Sequence, residues 1–212
     1  RDKNFGRQYT VNDVVLAPNL FCDQSDNTIY DNLLSELKKT GQEKLFTLWH
    51  GDSHIIADDK KMGGRWKCQS PTFQRVVKTI SEYFDMDVKA TRFNWYRNSA
   101  EWKPYHHDRA AFTPNCPQNL TVAASFGAER EVSFLHAQKG TTLSIPVTNG
   151  SLYAFGRDVN VAWKHGILAL PKEKHHSQGR ISIIAWGWNK QHDENKDEGK
   201  KHLENRTKRE TQ

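Results

Sequence analysis

The chain has 212 residues, 36% of them hydrophobic and 26% charged, and a net charge of +6. That length fits one domain able to bury about two-thirds or more of its unfolded surface, and no run of eighteen apolar residues is present to cross a membrane as a helix. Cys22, Cys68 and Cys116 are odd in number, widely spaced and without C-x-x-C, which argues against a disulfide framework or structural zinc and points to an intracellular, reducing compartment.

Starting at Arg1 without methionine or signal sequence, the chain reads as a piece of a longer protein. Residues 10 to 22 predict a strand entering a turn at Pro18-Asn19. Ser25 or Asp26 can then cap a helix running to about Thr40 and closed by Gly41, because Ile29, Tyr30, Leu33, Leu34 and Leu37 fall on one face. Residues 45 to 67 mix aromatics, histidines and paired acids without steady periodicity and suit a lid over a site more than a framework element. In it, Trp49 and Trp66 are candidates for contacting a flat substrate or for packing the lid. His50, Asp52 and His54 read as exposed turn residues or as a second metal cluster. Ser70-Pro71 starts a second helix reaching Asp85, whose buried face is Phe73, Val76, Val77, Ile80, Tyr83 and Phe84.

From Val88 the pattern turns to short strands, expected at 88–96, 119–126, 130–136, 141–147, 151–156, 159–170 and 179–188, with Asn149-Gly150 as a hairpin signal. The fold expected is α+β, mainly β: a double-stranded β-helix (jelly-roll) core with the two N-terminal helices packed on one sheet. Apolar residues nearly vanish after Trp188, so residues 1–188 are expected to form the domain and 189–212 a charged tail, flexible or a solvent-exposed helix. Asn119 and Asn205 stand in N-x-T triplets, read here as chance.

Chemistry concentrates between Arg92 and Phe112. Side chains two apart on an extended segment share a side, so His106 and Asp108 can grip one metal ion while His107 faces away. His165 follows 57 residues later (165 − 108), after S-L-Y-A-F-G-R-D-V-N-V-A-W-K-H, which reads as two strands joined by a turn. Two histidines and a carboxylate form the facial triad of non-haem Fe(II) oxygenases, with positions left open for co-substrate and oxygen. Arg180 opens the apolar strand R-I-S-I-I-A-W, and a guanidinium there needs an anion such as the far end of a dicarboxylate.

Taken together, Asn94-x-Tyr96, His106-x-Asp108, Ser125 to Gly127, Ser151 to Ile167 and Arg180-Ile181-Ser182 resemble the AlkB family of Fe(II)/2-oxoglutarate dioxygenases, over about residues 10 to 188. The resemblance implies iron ligation by His106, Asp108 and His165, pairing of Arg180 with 2-oxoglutarate, and co-substrate contacts from Asn94, Tyr96 and Ser182. It implies Fe(II), 2-oxoglutarate and O2 as the reacting set. Two positions depart from the family pattern: Trp186 stands where a second arginine is usual, and Ala110 where many nucleic-acid repair members carry an acidic residue.

Arg92, Arg97, Lys103 and Arg109 are interleaved with Trp95, Trp102 and Tyr105, as a groove for single-stranded nucleic acid requires, although a strand with aromatics inward and charges outward gives the same pattern. The expected function is oxidative demethylation or hydroxylation of nucleic-acid bases by a monomer, the substrate being single-stranded or presenting a flipped base. Arg97, Trp102, Lys103 and Arg109, with Trp49 and Trp66, are the candidate substrate residues. A protein side chain or small molecule is the alternative substrate, favoured by Ala110 and Trp186.

Overall fold

The computed structural model describes residues 13–39, 47–48, 55–57, 65–113 and 118–189. Gly41, Trp49, the His50, Asp52 and His54 group, Cys116, Asn205 and the expected tail from residue 190 lie outside these, as does the side chain of Trp66.

Two antiparallel sheets hold most of the described chain. The larger contains β1 (Val14–Ala17), β2 (Thr47–Leu48), β3 (Ile55–Ala57), β4 (Met86–Tyr96), β6 (Leu120–Gly127), β9 (Leu152–Gly156) and β11 (Arg180–Asn189), in the spatial order β1-β9-β6-β11-β4-β3-β2. The smaller contains β5 (Lys103–His106), β7 (Arg130–His136), β8 (Thr142–Val147) and β10 (Trp163–Ile167), ordered β5-β10-β7-β8.

Alternation along the central strands gives the larger sheet two apolar faces, which produce two cores. Phe93, Leu120, Val122, Ala124, Phe126, Ile181, Ile183 and Ala185 face one way, onto helices α1 (Thr28–Lys39) and α3 (Pro71–Phe84). The intervening residues Tyr96, Ala123, Tyr153, Phe155 and Ile184 face the smaller sheet, where they meet Val132, Phe134 and Ile167. Burying a side chain such as Ile80 or Phe93 contributes about 1.5–3 kcal/mol, so each core outweighs the isolated propensity of its helices and strands.

The helix ends follow their local chemistry. The Asp26 carboxylate accepts from Thr28 N at 2.9 Å, and the Ser70 hydroxyl accepts from Phe73 N at 3.2 Å with Pro71 in the first turn. Glu36 of α1 accepts from both the backbone and the hydroxyl of Thr72, which ties the two helices and places a carboxylate at the start of α3.

Several expectations are corrected. The first strand is only Val14–Ala17 within the described residues, though Asn19 does take the positive φ of a turn. The described parts of the expected lid, β2, β3 and the start of helix α2 (Arg65–Gln69), are framework: β3 pairs with β4 and extends the larger sheet, and Lys67 of α2 donates to Thr91 O of β4 at 2.9 Å. Residues 159–162, expected in a strand, belong to helix α4 (Arg157–Ala162), and β10 ends at Ile167 instead of 170. Asn149-Gly150 makes a turn with Gly150 at φ 74°, but no hairpin, because β8 pairs with β7 and β9 with β6 and β1. The Asn149 amide donates to Asp26 O at 2.8 Å and Gln24 O at 3.1 Å, so the turn is fixed to the loop before α1 where the chain changes sheet.

Candidate metal centre

Strand pairing assembles the centre. β5 and β10 pair so that His106 and His165 are opposite one another, ring centroids 4.3 Å apart, and Asp108 follows at the entry to a 3-10 turn, Arg109–Ala111. The two Nε2 atoms lie 3.9 and 3.8 Å from Asp108 Oδ1, and one ligand atom from each residue lies within 4.8 Å of the others. An ion with bonds of about 2.0–2.2 Å reaches all three after small inward rotations.

The other contacts of these side chains show which atoms would be available to an ion. His106 Nδ1 lies 3.0 Å from the Pro104 carbonyl, which can only accept; the proton therefore sits on Nδ1 and leaves a lone pair on Nε2. That Nε2 is buried and has no hydrogen-bond partner among the described residues. Asp108 Oδ2 accepts from Thr121 Oγ1 and from Trp186 Nε1, both at 2.9 Å, which leaves Oδ1 to the ion. The Asp108 backbone is clamped by the Asn160 amide, which accepts from its N at 2.8 Å and donates to its O at 3.1 Å. His107 lies outside the ligand group: its Nδ1 is 2.6 Å from the Asn160 carbonyl, and its ring meets Phe112 edge-on at 4.9 Å.

Electrostatics keep the donors in ligating form. Burial, with the neighbouring His165 and Lys103, pulls His106 down to about 2, and burial pulls His165 down to about 4 against the pull of Asp108, so both imidazoles are neutral near pH 7. Burial alone would raise Asp108, but His165, Lys103 and the Trp186 donor hold it below the usual carboxylate range. A buried carboxylate beside two neutral imidazoles with an orphaned lone pair fits a divalent first-row cation.

The larger sheet supplies the opposite wall. Asn94, Tyr96, Thr121, Tyr153, Arg180, Ser182, Ile184 and Trp186 line the cavity with the three ligands, and register explains it: Tyr96 is opposite Arg180, and Asn94 opposite Ser182. Arg180 is 1% exposed. Its Nε donates to Ser125 Oγ at 2.8 Å, while Nη1 and Nη2 are buried with no hydrogen-bond partner among the described residues. The guanidinium lies 5.3 Å from the Tyr96 ring centre, which only partly offsets the cost of burying it, and a carboxylate on Nη1 and Nη2 would satisfy the fork. The cavity is thus a candidate site for a metal ion and an anion together. A wider depression over Asn27, Tyr30, Glu129, Asn149 and Gln178 contains no metal-ligating cluster among the described residues.

No family model matches the chain, and no curated protein matches it. Among solved structures, a Pseudomonas putida prolyl-4-hydroxylase is similar at a TM-score of 0.46 and 11% identity, covering 82% of this chain and 90% of that one.

The candidate substrate residues that the structure describes differ in exposure and partners. Lys103, expected among outward charges, is 7% exposed and lines the metal cavity. Arg97 is exposed but bonded to the buried Glu101 carboxylate. Arg109 is exposed, Trp102 is half-buried, and Arg92 lies with its guanidinium 5.4 Å from the Trp186 ring. No local pattern signals the roles of Thr121 and Asn160, whose partner Asp108 is 13 and 52 residues away. Trp186 drew attention only as a departure. Asn119, in its N-x-T triplet, is 6% exposed and pairs both ways with Asn189, so in the folded chain it is no glycosylation acceptor.

Proposed function

We propose that this chain is an Fe(II)/2-oxoglutarate-dependent dioxygenase on a double-stranded β-helix core, acting on methylated bases of single-stranded or flipped-base nucleic acid. The observation that carries the reading is the His106, Asp108 and His165 cluster facing, across one cavity, a buried Arg180 whose two terminal nitrogens have no hydrogen-bond partner among the described residues.

His106, Asp108 and His165 would hold the iron through one face, leaving three positions open. When bound, iron and 2-oxoglutarate supply oxygen activation coupled to oxidative decarboxylation, which hydroxylates a substrate C–H bond; on an N-methyl group that product loses formaldehyde. Arg180, aimed by Ser125, would hold the far carboxylate of the dianion. Burial pushes the Tyr96 phenol up to about 12 despite the nearby Arg180, so it stays protonated and can donate. Asn94 and Ser182 add polar groups to the same wall, and Tyr153, Ile167 and Ile184 exclude water from it.

The nucleic-acid reading is supported by Arg109 and by Phe112, 61% exposed, on the turn that follows Asp108 directly. Burial of Lys103 and pairing of Arg97 with Glu101 favour, as the second reading, a protein side chain or small molecule, since both leave fewer cations for phosphates. Incubating the Fe(II)-loaded protein with methylated single-stranded oligonucleotides and with methylated peptides, while following succinate and product mass, tests both. Demethylated oligonucleotide is expected. Peptide oxidation alone selects the second reading, and the absence of 2-oxoglutarate binding by the loaded protein overturns the dioxygenase assignment.

A further inference from the structure

Lys103 and His106 are three apart on β5, so on a regular strand they would face opposite ways. The register shows why they do not: His106 is opposite His165 and Lys103 opposite Ile167, three steps on one strand against two on the other. This bulge lies within Pro104-Tyr105, where Pro104 has no N–H to give to the ladder, and bulges re-aim side chains. Gly166 permits it, because a Cβ there would come within 2.7 Å of Lys103 O and 2.9 Å of Pro104 O. The bulge turns Lys103 into the cavity shared by the three ligands and Arg180, where it is 7% exposed.

Among the described lining residues Asp108 is the one carboxylate, against two buried cations, Lys103 and Arg180. A divalent ion adds to that excess, so the cavity calls for an occupant carrying more than one negative charge. The two cations also hold different stations. Lys103 shares β5 with His106 and is opposite Ile167, two residues from His165, whereas Arg180 is on β11 of the other sheet, opposite Tyr96 and with its Nε on Ser125 Oγ. Lys103 therefore stands at the metal end and Arg180 at the far end.

We propose that Lys103 is a second anion-binding residue of this cavity, pairing with the carboxylate next to the oxo group of a 2-oxo acid while Arg180 pairs with the distal carboxylate. The proposal rests on the dioxygenase reading. Burial pulls the Lys103 ammonium down to about 8, and an arriving anion would favour its charged form.

The test uses the Mn(II)-loaded protein, which binds without turnover, and calorimetric titration with 2-oxoglutarate and with pyruvate, a 2-oxo acid lacking the distal carboxylate. Arg180→Met should weaken 2-oxoglutarate about ten-fold or more and leave pyruvate unchanged. Lys103→Met should weaken both acids by a similar factor, about ten-fold or more, with Lys103→Arg restoring part of it and Mn(II) affinity without acid not reduced. Lys103→Gln, close in length and polar, gives the same readout should the methionine variant not fold. Unchanged affinities in the Lys103 variants, loss for 2-oxoglutarate alone, or an equal loss of Mn(II) binding without acid each overturn the proposal; the last makes Lys103 a partner of Asp108. If the unmodified protein binds neither acid, the dioxygenase reading falls too. If it binds both and only Arg180→Met behaves as expected, the loss is confined to Lys103.

Discussion

Trp186 Nε1 donates to Asp108 Oδ2 at 2.9 Å, so an indole on the larger sheet sets the rotation of a carboxylate whose other oxygen faces two histidines on the smaller one. Thr121 donates to the same oxygen at 2.9 Å, and the Arg92 guanidinium lies 5.4 Å from the indole. Both donors are neutral and orient Asp108 without cancelling its charge.

Trp186→Phe keeps the ring and removes the N–H. Such outer partners are worth about 10–100-fold in metal affinity, and a fall of that size is expected in Mn(II) titrations with the melting temperature little changed. Unchanged affinity would show that Thr121 alone orients the carboxylate.

His106→Ala, Asp108→Ala and His165→Ala should each abolish stoichiometric Fe(II) binding, because two protein ligands remain. His107→Ala should retain it, since that ring is spent on Asn160 and Phe112. Metal content after desalting separates the cases, and equal loss in all four variants would contradict the ligand set.

Arg180→Ala should raise the 2-oxoglutarate concentration for half-saturation about ten-fold or more, from a charge-assisted pair worth about 1.5–3 kcal/mol, at unchanged iron stoichiometry. Denaturant melts of metal-free Arg180→Met, which keeps most of the buried volume, should show little loss of stability, because that change removes a buried charge with an unsatisfied fork without opening a large cavity.

The pH dependence of the metal-free protein carries the signature of Lys103. Its folded-state pKa is about 8, against about 10.4 unfolded, so between these values the unfolded chain binds more protons and stability rises with pH. Below about pH 8 the lysine is protonated in both states and its penalty is constant. The stability of the unmodified protein relative to Lys103→Met should therefore climb from pH 8 toward 10 in urea melts; a flat difference would mean that burial leaves this ammonium unperturbed.

Gly166→Ala places a methyl against the carbonyls of Lys103 and Pro104. Backbone cannot yield as a side-chain tip does, so a loss of about 1–3 kcal/mol is expected in chemical denaturation. Metal affinity should fall with it, since the β5 and β10 pairing also sets His106 against His165. A variant as stable as the parent would place the bulge elsewhere.

Local rules made much of this site legible in the sequence. The two-residue repeat of an extended chain put His106 and Asp108 together and turned His107 away. Arg180, at the head of the apolar strand R-I-S-I-I-A-W, stood out as a buried guanidinium in need of an anion, while Ser182 came only from the family resemblance. Ser70-Pro71 began its helix where capping chemistry predicts. These features depend on neighbours within a few residues. What the tertiary structure alone decided depends on partners far along the chain. Asn149-Gly150 has the residues of a hairpin, but hydrogen bonds to the loop at residues 22–26 send its strands to different sheets. Residues 159–162 have strand-like composition but fold into α4, where Asn160 clamps Asp108. Alternation sends Lys103 to solvent until β10 pairs with β5 one residue short, and the bulge turns its charge inward toward the metal ligands.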